Sequence, residues 1–271
     1  MKIYLCLYLC LYFLVGCTKP VASSLISTPG PANDYKLVWQ DEFEGNNLDI
    51  TRWNTGANIR DDATQTANAV SVTNGLLNII TYTENGINYT GFIDTHGKYE
   101  PVFGYIEARL RFKNSPGQWS AFWLQSANNK AYDPVDPKKG VEIDMIEHRA
   151  VNNNGKDLSN SYVCNIHWNG YTPGLHKTMG SNVLSLPAGE SFSDWHTVGL
   201  LWDATGYRFY IDNTMVWKTA SGLSTSNEFI RLTSEVHNYY WAGVIPATGY
   251  GSKGSDANPI MQVDWIRVWQ K

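Results

Sequence analysis

The sequence predicts an all-β fold, a sandwich or barrel of antiparallel strands. Short runs of alternating apolar and polar residues recur from residue 68 to the C-terminus, and alternation is the period-2 signature of a half-buried strand. Turn dipeptides punctuate the runs, among them Asn74-Gly75 and Asn85-Gly86, both signatures of the type I′ hairpin. No segment carries a long, capped 3.6-residue periodicity, which removes the helical and α/β classes.

The N-terminus reads as an address. Residues 1–16 place one Lys before an apolar run of about 13 residues, too short for the ~20 that span a bilayer and the right size for a signal-peptide core. The run ends in Leu14-Val15-Gly16-Cys17, which resembles a bacterial lipobox. Residues 1–16 are therefore expected to be cleaved and Cys17 to carry lipid. Residues 18–33, rich in Ser, Thr and Pro, then read as a flexible tether to a domain over 34–271. The expected location is the bacterial cell surface or periplasm, with the chain held to the membrane by its lipid. Once Cys6 and Cys10 leave and Cys17 is acylated, Cys164 stands alone. No intrachain disulfide can form, and Cys164, inside an alternating run, reads as a small buried hydrophobe.

The strands follow in order. Residues 68–73 and 76–83 flank the first hairpin, then come Ile87–Thr95 and Tyr105–Phe112. In the latter Ile106, Ala108, Leu110 and Phe112 share one side. His196–Trp202, Tyr207–Ile211 and Met215–Lys218 come next, the last two separated by Asp212-Asn213. Ile260–Gln270 closes the chain, with Val263, Trp265, Arg267 and Trp269 set against Met261 and Ile266. Composition agrees: 17% of the 271 residues are charged and 13% aromatic. So aromatic and weakly charged a chain is not disordered. A net charge of −4 gives no basic face for nucleic acid. Dense aromatics suit flat pyranose faces, although a plain β core also uses many.

The sharpest chemical signal is Gly140-Val141-Glu142-Ile143-Asp144-Met145-Ile146-Glu147-His148. On a regular strand Glu142 and Asp144 share a face, and Glu147 falls on the opposite, apolar side. Burying that carboxylate is costly. A β-bulge near Met145-Ile146 returns Glu147 to the acid face and leaves His148 opposite, as a structural residue. The Glu142 and Glu147 Cα atoms are then ~13 Å apart. Inward-leaning side chains could close the carboxyls to the ~5–5.5 Å of a retaining glycosidase pair. One Glu would attack the anomeric carbon. The other would protonate the leaving oxygen and later activate water, and Asp144 between them would raise the acid's pKa. A calcium site and a solvated strand face are the other readings of three clustered acids. Spacing alone does not decide which Glu plays which part.

Glu142-Ile143-Asp144-Met145-Ile146-Glu147 resembles the E-x-D-x-x-E signature of glycoside hydrolase family 16, in the bulged form of laminarinases and mixed-linkage endo-β-glucanases. The resemblance runs through Val38–Gly45, Phe103–Arg109, Gly117–Leu124 and Val263–Trp269, in that order. It implies a β-jelly-roll sandwich of two antiparallel sheets with a concave substrate cleft. It implies Glu142 as nucleophile, Asp144 as helper and Glu147 as acid/base. It also implies that Trp119 and Trp123, which alternate on one strand, stack on sugar rings, and that His167 and Asn68 line the cleft. A structural calcium is implied on the backbone oxygens of Glu44 and Gly75 and on Asp264, with no cofactor needed for catalysis.

The chain departs from the laminarinase pattern at Ser120 and over Leu232–Gly243, where added aromatics are expected at the cleft rim and Trp241 as a subsite. That departure weakens a pure β-1,3-glucan preference. No basic cluster is read beside the motif, which weakens porphyran or carrageenan. The expected activity is a monomeric endo-β-glucanase cutting mixed-linkage β-1,3/1,4-glucan. An endo-β-1,3-glucanase, a surface glycan-binding protein without the chemistry, and a transglycosylase are the alternatives.

Overall fold

A computed structural model of the chain describes residues 34–128 and 140–271. The signal segment, Cys17 and the tether lie outside the described residues. Among those described there is no α-helix, only a single 3-10 turn, Ala67–Ala69, and nineteen strands. In chain order these are β1 Lys36–Asp41, β2 Asn58–Arg60, β3 Ala63–Gln65, β4 Val70–Thr73, β5 Leu76–Ile80, β6 Tyr82–Glu84, β7 Ile87–Thr90, β8 Phe92–Asp94, β9 Gly104–Lys113, β10 Gln118–Gln125, β11 Glu142–Arg149, β12 Ser161–Trp168, β13 Lys177–Gly180, β14 Leu184–Ser185, β15 His196–Asp203, β16 Gly206–Ile211, β17 Thr214–Thr219, β18 Phe229–Val236 and β19 Ile260–Gln270.

They form two large antiparallel sheets. One runs β17-β16-β15-β9-β19-β5-β4, with β1 also on β19. The other runs β13-β12-β11-β10-β18-β8, with β14 also on β12. A small four-stranded sheet, β2-β3-β7-β6, stands beside them. The core lies between the large sheets. Ile106, Ala108, Leu110 and Phe112 of β9 and Val198, Leu200 and Trp202 of β15 meet Phe122 and Leu124 of β10 and Ile143, Met145 and Ile146 of β11. Each fully buried aliphatic side chain there contributes roughly 1.5–3 kcal/mol. The expected jelly-roll sandwich is what forms.

The hairpins form where the turn residues asked for them. Asn74 and Gly75 both have positive φ, 54° and 71°, as do Asn85 and Gly86 at 52° and 77°, the pattern a type I′ turn requires. Three expected runs are interrupted. Residues 76–83 break at Thr81, so that β5 belongs to a large sheet and β6 to the small one. Ile87–Thr95 breaks at Gly91, where a Cβ would lie 2.7 Å from Val70 Cγ2. In β19 the register shifts between Val263 and Trp265. Met261 and Val263 share the core face by simple alternation, and the irregularity after Val263 brings Ile266 and Val268 onto that same face. Leu232–Val236, expected at a rim, instead lies in β18, hydrogen-bonded between β10 and β8, and only the residues after it form the loop.

Candidate active site

Strand β11 carries the bulge. Trp123 pairs with Asp144 and Phe122 with Ile146, leaving Met145 as the extra residue. On the other side Asp144 pairs with Asn165 and Glu147 with Val163. Ile143, Met145 and Ile146 all enter the core, so Glu142, Asp144 and Glu147 share the outer face. His148 packs inward against Phe112 and Phe192, at centroid distances of 5.2 and 4.6 Å. Burial pushes it down to about 4, so the ring is neutral near pH 7, and its Nδ1 lies 2.9 Å from the Ser161 carbonyl. Cys164 is fully buried below the site, its Sγ donating to the Met145 carbonyl at 3.2 Å.

The neighbouring strands supply a partner for each acid. Gln125 of β10 donates Nε2–H to Glu142 Oε2 at 2.9 Å. Tyr171, in the loop after β12, donates its hydroxyl to Glu142 Oε1 at 2.5 Å. Asn165 of β12 donates Nδ2–H to Glu147 Oε2 at 2.6 Å. His167, two residues on and hence on the same face, sets Nε2 3.4 Å from Asp144 Oδ2 and Nδ1 3.1 Å from His176 Nε2.

This crowding changes protonation. Burial, then the charge of Glu142, holds Asp144 above the usual carboxylate range, with the His167 hydrogen bond pulling the other way. Burial, then the charge of Asp144, pushes Glu147 up, opposed by the Asn165 amide. Burial works against a charged His167, but its bond to Asp144 and the surrounding acids win and push it up to about 9. The arrangement can therefore hold a protonated Glu147 beside a hydrogen-bonded Glu142, with a cationic His167 steadying Asp144.

The expected aromatic residues are present but partly roofed. Trp119 and Trp123 face the acids' side and are only 8% and 4% exposed. The Arg231 guanidinium covers Trp123 at 4.6 Å, and Trp241 meets Trp119 edge-on at 5.7 Å. Trp241 itself is stacked by Arg149 at 3.8 Å. Asn68 is exposed in the 3-10 turn, its N–H bonded to Thr66 Oγ1, and no hydrogen bond among the described residues joins it to the trio. No basic cluster was expected beside the motif, and a single arginine does stand there. Arg149 lies two residues past Glu147, across from Trp119, and its buried Nε has no hydrogen-bond partner among the described residues. Sequence reasoning also passed over Gln125, Asn165, Tyr171 and Arg231. For Gln125 and Asn165 a signal existed, since each falls on the outer face by alternation with Trp123 and His167.

Of the residues expected to hold calcium, Asp264 lies in β19, and Glu44 and Gly75 lie just outside its neighbours β1 and β5. Val263 pairs with Leu77 and Ile266 with Asp41. Carbonyl and carboxylate oxygens suit a hard cation. One Asp264 oxygen, however, accepts Arg109 Nη1 at 2.7 Å, a contact that a divalent ion would share or displace.

Residues 37–271 match the family model described as the GH16 domain of β-porphyranases A–D. A keratan-sulfate endo-1,4-β-galactosidase of Sphingobacterium multivorum is 24% identical, over 94% of this chain and 60% of that protein. Glucan endo-1,3-β-glucosidase A1 of Niallia circulans is 26% identical, over 87% of this chain and 38% of that protein. The chain thus spans less than two thirds of the length of these two relatives. Among solved structures, a GH16 protein of the Bacteroides ovatus mixed-linkage glucan locus, in complex with a G4G4G3G product, superposes with a TM-score of 0.69. It is 20% identical and covers 85% of this chain and 99% of that one; at that identity the likeness concerns the fold.

Proposed function

Starting from a chain that belongs to glycoside hydrolase family 16, in the family of β-porphyranase A–D GH16 domains, we propose a retaining, endo-acting β-glycosidase. The observation that carries the proposal is the bulge in β11, which turns three carboxyls to one face, where burial and the charge of Asp144 raise the pKa of Glu147. Glu142 attacks the anomeric carbon while Glu147 gives its proton to the leaving oxygen. Glu147, now a base, takes a proton from the water that opens the glycosyl ester. Asp144, paired with His167, keeps negative charge beside both and favours a protonated Glu147 at the start of each cycle. An intact trio with its hydrogen-bond partners speaks for hydrolysis over a glycan-binding role.

For the polymer, Arg149 favours a β-galactan bearing anionic groups. Its guanidinium stands on the acids' face with a buried donor that has no hydrogen-bond partner among the described residues, and the family match and the keratan-sulfate relative point the same way. Mixed-linkage β-1,3/1,4-glucan, the polymer expected from the motifs, is the second reading, with laminarin beside it. The laminarin reading is supported by the likeness to the glucan endo-1,3-β-glucosidase of Niallia circulans. The test is product release from porphyran, keratan sulfate, barley glucan and laminarin, with NMR of the first-formed anomer. Release of an inverted anomer, or no release from any polymer with binding retained, refutes the proposal.

Lipid attachment at Cys17, a location at the cell surface or periplasm, and a monomeric state belong to the same proposal. Acyl labelling of the wild type and of Cys17→Ser in a bacterial host tests the anchor. The calcium site at Glu44, Gly75 and Asp264 predicts that chelation lowers the melting temperature and that added calcium restores it; an unchanged melt removes the ion from the account.

A further inference from the structure

The two oxygens of Glu142 are held by donors of different standing. Gln125, on Oε2, ends an interior strand paired on both edges, is 8% exposed, and has its own Oε1 fixed by Arg231 Nη1 at 2.9 Å. Tyr171, on Oε1, is 46% exposed. Among the described residues, several of the bonds of the loop that carries it stay within the loop. The Leu175 and His176 N–H groups reach the Thr172 carbonyl, and Asn169 Nδ2 reaches the Leu175 carbonyl. At its base the Gly170 N–H bonds the Gly140 carbonyl. The phenol ring rests on His176, with centroids 4.7 Å apart.

A carboxylate that attacks carbon treats its oxygens unequally. The attacking oxygen becomes an ester oxygen, gives up its charge and turns into a poor acceptor. The other becomes the ester carbonyl and still accepts. A donor on the attacking oxygen therefore stabilises the resting state more than the transition state, and only a donor on the other oxygen keeps its bond throughout. The fixed donor is on Oε2 and the loop-borne donor on Oε1. We infer that Oε1 is the attacking atom, and that Tyr171 is a positioning residue that caps it in the resting enzyme and yields it to the sugar. The inference rests on the reading of Glu142 as nucleophile. In the step itself a lone pair of Oε1 forms the bond to C1. The bond from C1 to the leaving oxygen breaks with its electron pair, and that oxygen takes the proton of Glu147. Tyr171 keeps its own proton.

The experiment is covalent trapping with 2,4-dinitrophenyl 2-deoxy-2-fluoro-β-D-glucoside and -galactoside, followed by intact mass and peptide mapping. These probes form the glycosyl ester without needing the acid. Tyr171→Phe keeps the ring on the imidazole and removes only the hydroxyl. Losing a charge-assisted hydrogen bond from the resting state speeds trapping of Glu142 by about tenfold. Gln125→Leu, which removes the bond that the ester retains, slows it by a similar factor. Trapping of Glu142 that is unchanged or slower in Tyr171→Phe overturns the cap, as does faster trapping in Gln125→Leu. A wild type that cuts polymer but is labelled elsewhere than at Glu142, or not labelled at all, overturns the nucleophile assignment and the cap together.

Discussion

Removing the Asn165 side chain should move the alkaline limb of the pH profile upward. Asn165 donates to Glu147 Oε2 at 2.6 Å and is held from behind, since a Cβ on Gly180 of the neighbouring strand would lie 2.3 Å from Asn165 Oδ1. The amide favours the ionised carboxylate, so its loss raises the Glu147 pKa further. A hydrogen bond to a charged group is worth about 1.5–3 kcal/mol, and one pKa unit is about 1.36 kcal/mol, which sets a ceiling near 1–2 units. Glu147 is half-buried rather than sealed, and water replaces part of the lost bond, so about one unit is expected in Asn165→Ala. The profile of kcat/KM reports the free enzyme, and the acid must be protonated for glycosylation, so the alkaline limb rises by that amount. The assay is kcat/KM against pH on whichever polymer the wild type cuts. A limb that stays in place, or moves down, would refute the assignment of Glu147 as the acid.

Three further outcomes follow from the same geometry. Glu147→Gln should lower kcat/KM on polymer by about 10²–10⁴-fold and leave trapping by activated dinitrophenyl glycosides nearly unchanged; equal losses on both would contradict the acid role. His196 is buried, with Nδ1 2.6 Å from Asp212 Oδ2 and Nε2 3.0 Å from the Ser191 carbonyl. The Asp212 bond is the main cause of its raised pKa. Its stabilisation is full below the unfolded value of about 6.5 and fades as pH rises through the raised one. One such bond is worth about 1 kcal/mol, or roughly 2–4 °C in a domain of this size. The wild type should lose that much more melting temperature between about pH 6 and about pH 9 than His196→Gln does; parallel curves would contradict it. Cys164→Ser, at a fully buried position whose thiol donates to the Met145 carbonyl, should keep activity and shift stability by under ~2 kcal/mol. A folded but inactive variant would mean that the thiol takes part in catalysis.

Local chemistry explains why so much of the fold was legible. Asn74-Gly75 and Asn85-Gly86 can adopt the positive φ values they show because their side chains are small or absent. The bulge was legible because two apolar residues between Asp144 and Glu147 leave no other way to keep Glu147 out of the core. The breaks at Thr81 and Gly91 and the irregularity in β19 were not legible. Each arises where a strand changes partners, and alternation within one strand says nothing about its neighbour.

The sequence by itself determined the class of fold, the hairpins, and a trio of acids on one face of a kinked strand, since each depends on residues a few positions apart. The tertiary structure alone decided what surrounds the trio. Gln125 reaches Glu142 because β10 pairs with β11, and Arg231 braces Gln125 because β18 lies on β10's other edge. Asn165 and His167 reach Glu147 and Asp144 because β12 pairs with β11. Those neighbours come from 17 to over 100 positions away in sequence. Sheet order and register, set by burying both sheets' inner faces together, brought them to one site.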